Sequence, residues 1–332
     1  MAKQLFTNIV AASPPLGLYP AAQRVTYLYY LGRYHFATGH FYYAQQCLQS
    51  AYDQCHNRCI KQRRTVLIYL VSANLILGRL PSQAFAGRPE SDVLQKFIPI
   101  ANAIRKGDMP AFKRGLGPES GNERWFFEHG ILLQLQSRCE VLVWRSLARR
   151  VFLLTYNFPW DPESKKAPTL SLEDVVVAFQ LCQKLLEGWQ KPVDPHAFMQ
   201  SGRTHANAMF MKTPDLVPPQ NRPQSLRIGR GTIFGNKMPE LNDVEPIIAS
   251  LIQQGLLHGF ISHTQGKFAI IGAKQKGGPL QAGFPPVWEV LHDRAVSQNR
   301  VAECPGWVQR EKNLGMGGVV NLTGARPAGE NS

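Results

Sequence analysis

The chain is short of acid. Its 332 residues carry 23 Asp+Glu against 37 Lys+Arg, a formal charge of +14 and a pI near 9.7. Such an excess points toward nucleic acid, anionic lipid or an acidic partner, and says nothing about fold. Charged residues of either sign amount to only 18%, against 44% apolar residues, a balance that excludes wholesale disorder. Cysteine is scarce as well: six residues are too few for a disulfide scaffold. Five of them, Cys47, Cys55, Cys59, Cys139 and Cys182, sit in apolar-rich segments with helical patterning, as reduced thiols of a cytosolic or nuclear protein do. The sequence does not open on a basic stretch followed by an apolar one, which argues against a secretory signal. Long apolar runs are missing too. VLIYLVSANLILG at 66–78 contains Ser72 and Asn74 and falls short of the roughly 20 residues a membrane span needs; it reads as a buried helix. At roughly 150 residues per domain, the length suggests one large or two small domains with a sizeable core.

Breakers divide the chain. Residues 1–20 carry Ser13, Pro14, Pro15, Gly17 and Pro20 and read as a loose leader. From 21 to 157 the pattern is helical, with breakers at Gly39, Gly78 with Pro81, Gly107, and Gly115 to Gly121. Residues 158–170 form a linker. Residues 171–275 are mixed, with a Pro- and Arg-containing insertion at about 188–240, expected as a long surface excursion partly ordered by Phe198, Met209 and Phe210. The tail, 276–332, is rich in Gly and Pro and reads as extended or partly disordered.

Within the helical part, Leu31-Gly32 followed by Ala44, Leu48 and Ala51 has the spacing of a tetratricopeptide unit. There, small residues let two helices approach closely and a large apolar one fills the gap. His35 stands where an aromatic is usual, and no second copy follows, so generic amphipathic helix pairs fit equally. Stacked units need neighbours. An array opening almost directly at Val25 leads to the expectation that preceding helices are absent or supplied by a partner.

The strongest local signal lies at 241–272. Leu241-Asn242-Asp243 supplies cap residues and Pro246 suits a first helical turn. Val244, Ile247, Ile248, Leu251 and Ile252 make one apolar face, and Gly255 is a natural stop. LLHGFISH, the turn Thr264-Gln265-Gly266 and KFAIIG then read as a β-hairpin. A helix, a tight stop and a hairpin build the second half of a winged helix, with LEDVVVAFQLCQKLL at 172–186 as its earlier helix. The fold class is therefore mostly α: stacked helical hairpins feeding a winged helix with a small antiparallel hairpin, and no parallel sheet.

VTYLYYLGRYHF, QRRTVLIYLVSANLILGRLPS, FIPIANAIRKGDMPAF, HGILLQLQSRCEVLVWRSLARRVF, IIASLIQQGLLHGFISH and the FPP at 284–286 together resemble a PCI-domain protein over roughly residues 20–288. The resemblance is closest to the branch of the PCI subunit of the nuclear-pore-linked mRNA export complex and its signalosome-associated fungal paralogue. It implies a non-enzymatic adaptor, nuclear and at the pore, that docks its winged helix on another PCI-type protein to form a basic platform for RNA or DNA. The implied partners are a large PCI-type scaffold subunit and a small acidic subunit related to a proteasome-lid component. A purely structural subunit of a signalosome- or lid-like assembly is the alternative. The sequence departs from the family at the 188–240 insertion and at His258, where the branch often carries Lys, and the usual N-terminal repeats are short or absent.

Catalytic chemistry finds no support. CHNRC at 55–59 has two thiols and a His but no second ligand pair for zinc, and its order is not that of haem attachment. Gly229-x-Gly231-x3-Gly235 is not a dinucleotide fingerprint and reads as a flexible loop. His258 and His263 point to opposite faces of a strand, and His129 reads as core. No metal, cofactor or catalytic residue is expected. The cations say more. Between 201 and 238 stand Arg203, Lys212, Arg222, Arg227, Arg230 and Lys237 against Asp215 alone, and the wing adds Lys267, Lys274 and Lys276. Arg222, Arg227, Arg230, Lys237 and the three wing lysines are the candidate phosphate contacts, and no membrane contact is expected. Arg58, Lys61, Arg63 and Arg64 crowd a helix start, where the dipole disfavours cations, which suggests an acidic partner. Arg58, Arg63 and Arg64, with Ile247, Leu251 and Phe260 of the winged helix, are the candidate partner contacts. Arg145, Arg149 and Arg150 read as a structural face at the junction of array and winged helix.

Overall fold

Apolar residues at helical spacing, punctuated by glycine and proline, shape the first half of the chain. The computed structural model describes residues 2–82, 85, 87–157, 160–161, 166–190, 216–220, 223–297, 302–304 and 307–308. Helices α1 (Ala2–Ala12), α2 (Ala21–Ala37), α3 (Phe41–Gln54), α4 (Ile60–Ile76), α5 (Leu94–Lys106), α6 (Met109–Gly115), α7 (Glu123–Glu128) and α8 (Leu132–Thr155) come first. The apolar run at 66–78 is the buried length of α4. One expectation needs correcting here: the loose leader is helical. Phe6 of α1 sets its ring 6.1 Å from that of Tyr27 and 5.1 Å from that of Tyr34, and the Pro14, Pro15 and Gly17 breakers all fall beyond the helix end.

The α2–α3 pair is packed as the spacing requires. A Cβ on Gly32 would stand 2.6 Å from Cγ of Leu48, and Ala44, Leu48 and Ala51 are fully buried. His35 is half-buried beside His40 and Tyr43, with its pKa lowered by burial and by the His40 charge; it packs as a neutral ring.

α8 joins the two halves. It packs on α4, α5 and α6 and also on the winged helix. Gly107, at φ +67 after α5, makes the closest approach, because a Cβ there would lie 2.4 Å from the backbone N of Leu147.

The winged helix consists of β1 (Thr169–Ser171), α9 (Leu172–Leu186), α10 (Leu241–Gln253), β2 (Gly259–Ser262) and β3 (Lys267–Ile270). The sheet order is β1-β3-β2, antiparallel throughout, with Leu170 opposite Phe268 and Phe260 opposite Ala269. Its first strand thus lies partly within the expected 158–170 linker; three residues are too few to show a period of two. Glu240 caps α10 in a capping box with Asp243, and Pro246 falls in the second turn rather than the first. Gly255 takes φ +71 just past the helix end. Helix followed by hairpin over 241–270 matches the sequence expectation.

The insertion is a correction in part. Phe198, Met209 and Phe210, like Arg203, Lys212 and Arg222, lie outside the described residues. Residues 223–240, however, form a strap held on α9. Gln183 Nε2 donates to Gly235 O (2.9 Å) and its Oε1 accepts from Thr232 N (2.8 Å). Glu187 Oε1 accepts from Asn236 Nδ2 (3.0 Å), and Glu187 O from Gln224 N (3.0 Å). Gln183 and Glu187 are buried, so the strap supplies the partners their burial demands. The expected flexible loop at 229–235 is a tight turn, where a Cβ on Gly231 would meet Gly235 O at 1.9 Å.

The tail departs from expectation over its described residues, while 298–301, 305–306 and 309–332 lie outside them. α11 (Pro279–Gly283) and α12 (Val287–Ser297) are followed by the pair β4 (Ala302–Cys304) and β5 (Trp307–Val308). Trp288 stacks on Tyr42 with ring centroids 5.8 Å apart, His292 Nδ1 lies 2.9 Å from Tyr42 Oη, and the Arg79 guanidinium stands 4.5 Å over the Trp288 ring. Arg294 donates to Gln254 O just beyond α10. α12 therefore clasps the array to the winged helix. The short Gly/Pro-rich joints around it conceal its helical pattern in the sequence.

Candidate nucleic-acid and partner interface

The wing presents cations and an apolar edge together. β3 buries Phe268, Ala269 and Ile270 and leaves Lys267 exposed at its start. Lys274 and Lys276 are exposed on the turns that follow. β2 is an edge strand. Its Phe260 is 53% exposed, and Ile271, whose N–H is donated to His258 O beside the same strand, is 47% exposed. An aromatic ring this open on an unpaired sheet edge suits a protein partner.

The other candidate residues divide by burial. On α10, Leu251 is fully buried against the core and Ile247 half-buried, so Leu251 is a packing residue and not a partner contact. α10 carries no Lys or Arg. Its Glu245 engages His263 and its Asp243 engages Lys237 at 2.6 Å, so the helix usually offered to a groove has an acidic flank here. The exposed candidate cations lie instead on the wing and the loops. Lys237 and Asp243 hold each other charged, the lysine's pKa raised and the carboxyl's lowered by their mutual hydrogen bond. Arg230 pairs with Glu123 at 2.7 Å, and the neighbouring Gly229 O accepts from Lys113 Nζ (3.0 Å), which also pairs with Glu140. Arg230 and Lys237 therefore fasten the strap, and among the described strap cations Arg227 is exposed without an ion pair.

The 58–64 cluster is mostly structural. Arg63 is buried in α4. Its Nε donates to Glu90 Oε1 (3.0 Å), Nη1 donates to Cys55 O (2.7 Å), and its guanidinium lies 4.1 Å over the Tyr52 ring. Tyr52 Oη donates to the same Glu90 oxygen. Arg63 thus corrects the partner assignment: its charge offsets a buried carboxylate and the carbonyls ending α3. Arg64 pairs with Asp92 (2.9 Å) in solvent, and Arg58 is exposed. No local signal ties Arg63 to a Glu 27 positions on, which is why the sequence misplaces it.

Arg145 behaves as the junction reading requires: Nη2 donates to Phe284 O (2.9 Å) and also to Pro285 O, holding the FPP turn. Burial, with the Arg149 charge beside it, brings its pKa down to about 10. Two thiols are held protonated by burial. Burial pushes Cys47 up to about 11 and raises Cys139 further. Among the described residues no group of three or more His, Cys, Asp or Glu could hold a metal ion, and no helix is long and apolar enough to cross a membrane.

The described residues thus form helical hairpins that run through one long helix into a winged helix with an exposed edge and wing. Known proteins share stretches of this sequence. A PCI domain-containing protein of Schizosaccharomyces pombe is 32% identical over 174 residues, 52% of this chain and 38% of that protein. PCI domain-containing protein 2 of Xenopus laevis is 25% identical over 269 residues, 81% of this chain and 48% of that protein. A CSN12 homolog of Neurospora crassa is 33% identical over 141 residues, 42% of this chain and 30% of that protein. No family model matches. The chain is similar to PCI-domain proteins over these stretches, and it spans less than half the length of these relatives.

Proposed function

We propose that this chain is a non-enzymatic adaptor subunit of a nuclear mRNA export complex at the nuclear pore. Its winged helix pairs with that of a large PCI-type scaffold subunit, a small acidic subunit completes the assembly, and the joined domains hold RNA or DNA on a basic surface. The observation that carries the reading is the conjunction at the wing: Phe260 and Ile271 open on the sheet edge, with Lys267, Lys274 and Lys276 exposed beside them. The +14 charge supports a polyanionic ligand. A purely structural subunit without nucleic-acid contact is the second reading, favoured by the likeness to a CSN12 homolog.

Reversal of the wing lysines separates the two. Lys267→Glu with Lys274→Glu removes two phosphate contacts. For single-stranded RNA each contact contributes about 0.7 to the slope of log affinity against log salt, so the slope should flatten by about 1.4. The loss should be alike for every sequence tried, because phosphates are sequence-blind. Fluorescence anisotropy on the assembled complex measures it. An unchanged affinity and slope, with assembly intact, would favour the structural reading.

A further inference from the structure

A second basic surface lies where α5 meets α8, and its cations are free of ion pairs among the described residues. Arg105 and Lys106 end α5, and Arg149 and Arg150 lie on α8; all four are exposed. The two helices meet here: Gly107 abuts the backbone of Ser146 and Leu147, and Arg150 Nη1 lies 3.5 Å from Lys106 O. Among the described residues none of these four cations forms an ion pair, and the nearest acid in sequence, Asp108, has its Oδ1 engaged by Ala111 N (2.9 Å). Arg105 and Lys106 benefit from the helix C-terminal dipole, but Arg149 and Arg150 stand more than a turn from the end of α8 and gain little from it. Arg149 also crowds the mostly buried Arg145. Like charges gathered without an acid are unfavourable in the free protein and become favourable against a polyanion.

We propose that this junction is a second phosphate-contact surface, extending the nucleic-acid path from the wing onto the helical array. The inference rests on the reading that the assembled protein binds nucleic acid, and it adds a location that reading does not include. Continuity supports it. Arg145, one turn from Arg149, grips Phe284 and Pro285. That turn leads back through α11 to the segment carrying Lys274 and Lys276. Arg149 and Arg150 are exposed arginines on a single helix, and a guanidinium fork matches phosphate oxygens.

The test uses the full chain in complex and a fluorescein-labelled single-stranded RNA over a salt series. Arg149→Glu with Arg150→Glu should flatten the log–log slope by about 1.4 and lower affinity about 25-fold near 0.1 M salt, since each contact contributes about 0.7. Arg149→Glu alone, which touches no hydrogen bond, should give about half that slope change and guards against a fold defect. Arg105→Gln with Lys106→Gln should act in the same direction. Wild-type binding with unchanged variants would overturn this inference and leave the wing reading standing. Absence of wild-type binding would overturn both. Loss of polyglutamate binding with RNA binding intact would assign the surface to an acidic protein and overturn it as well.

Discussion

Arg63→Ala is expected to lower the stability of the helical array by about 3–5 kcal/mol, the range for removing one partner of a buried ion pair. At roughly 2–4 °C per kcal/mol for a unit of this size, the melting temperature should fall by about 10 °C, readable by circular dichroism. The size follows from what is left behind. Glu90 is 3% exposed and Arg63 is 6% exposed; without the guanidinium, Glu90 keeps the Tyr52 hydroxyl as its side-chain donor, and Arg88 reaches that hydroxyl, not the carboxylate. The carbonyls of Tyr52 and Cys55 also lose a donor. Replacing both charges, as Arg63→Met with Glu90→Leu, should recover part of the loss, because an apolar pair leaves no stranded charge. A pH dependence accompanies it. Burial alone would raise the Glu90 pKa, but the hydrogen bonds from Tyr52 and Arg63 outweigh it and hold the carboxyl below its ordinary 4.5. A lowered folded-state pKa contributes stability above the unfolded value that is lost as pH falls through the folded one. Wild-type stability should therefore drop as pH falls below about 4.5, and Arg63→Ala should lose much of that dependence.

Gly107→Ala should be nearly as damaging, and at a different place. The residue sits at φ +67, where a Cβ is disfavoured by about 1 kcal/mol, and that Cβ would stand 2.4 Å from Leu147 N and 2.6 Å from its Cα. Backbone cannot rotate aside as a flexible side chain can. Separation of α5 from α8 adds overpacking strain of about 1–3 kcal/mol, for a total on the order of 3 kcal/mol. Since α8 carries both the array and the winged helix, hydrogen exchange should quicken in α5 and α8 together. A variant melting within a degree or so of wild type would contradict the close approach.

The legible parts of the sequence were those with a period. The α2–α3 contact at Gly32 and Leu48, and the succession of α10, Gly255 and hairpin, follow from spacings of 3.6 and 2 and from one glycine each. β1 is too short to show a period. α12 is isolated by proline and glycine, and its reason for folding back is Tyr42, some 246 positions away from Trp288. At the candidate interface, composition pointed to cations without telling which were free. Arg63, Arg230 and Lys237 are engaged by Glu90, Glu123 and Asp243; Lys267, Lys274 and Lys276 remain open. Pairing is decided by contacts distant in the chain, and no local pattern encodes it.

The most direct test of the account is whether Phe260 carries the pairing of this winged helix with a second PCI-type subunit. Wild type and Phe260→Asp would each be co-expressed with that subunit and run by size exclusion with light scattering. Because the ring is half-open on the edge strand, the substitution should leave the melting temperature of the isolated chain unchanged. A buried, unpaired carboxylate at the interface should weaken the pair by several kcal/mol, more than a hundredfold in affinity. The account predicts a one-to-one complex for wild type and separate subunits for Phe260→Asp; a one-to-one complex that survives the substitution would contradict it.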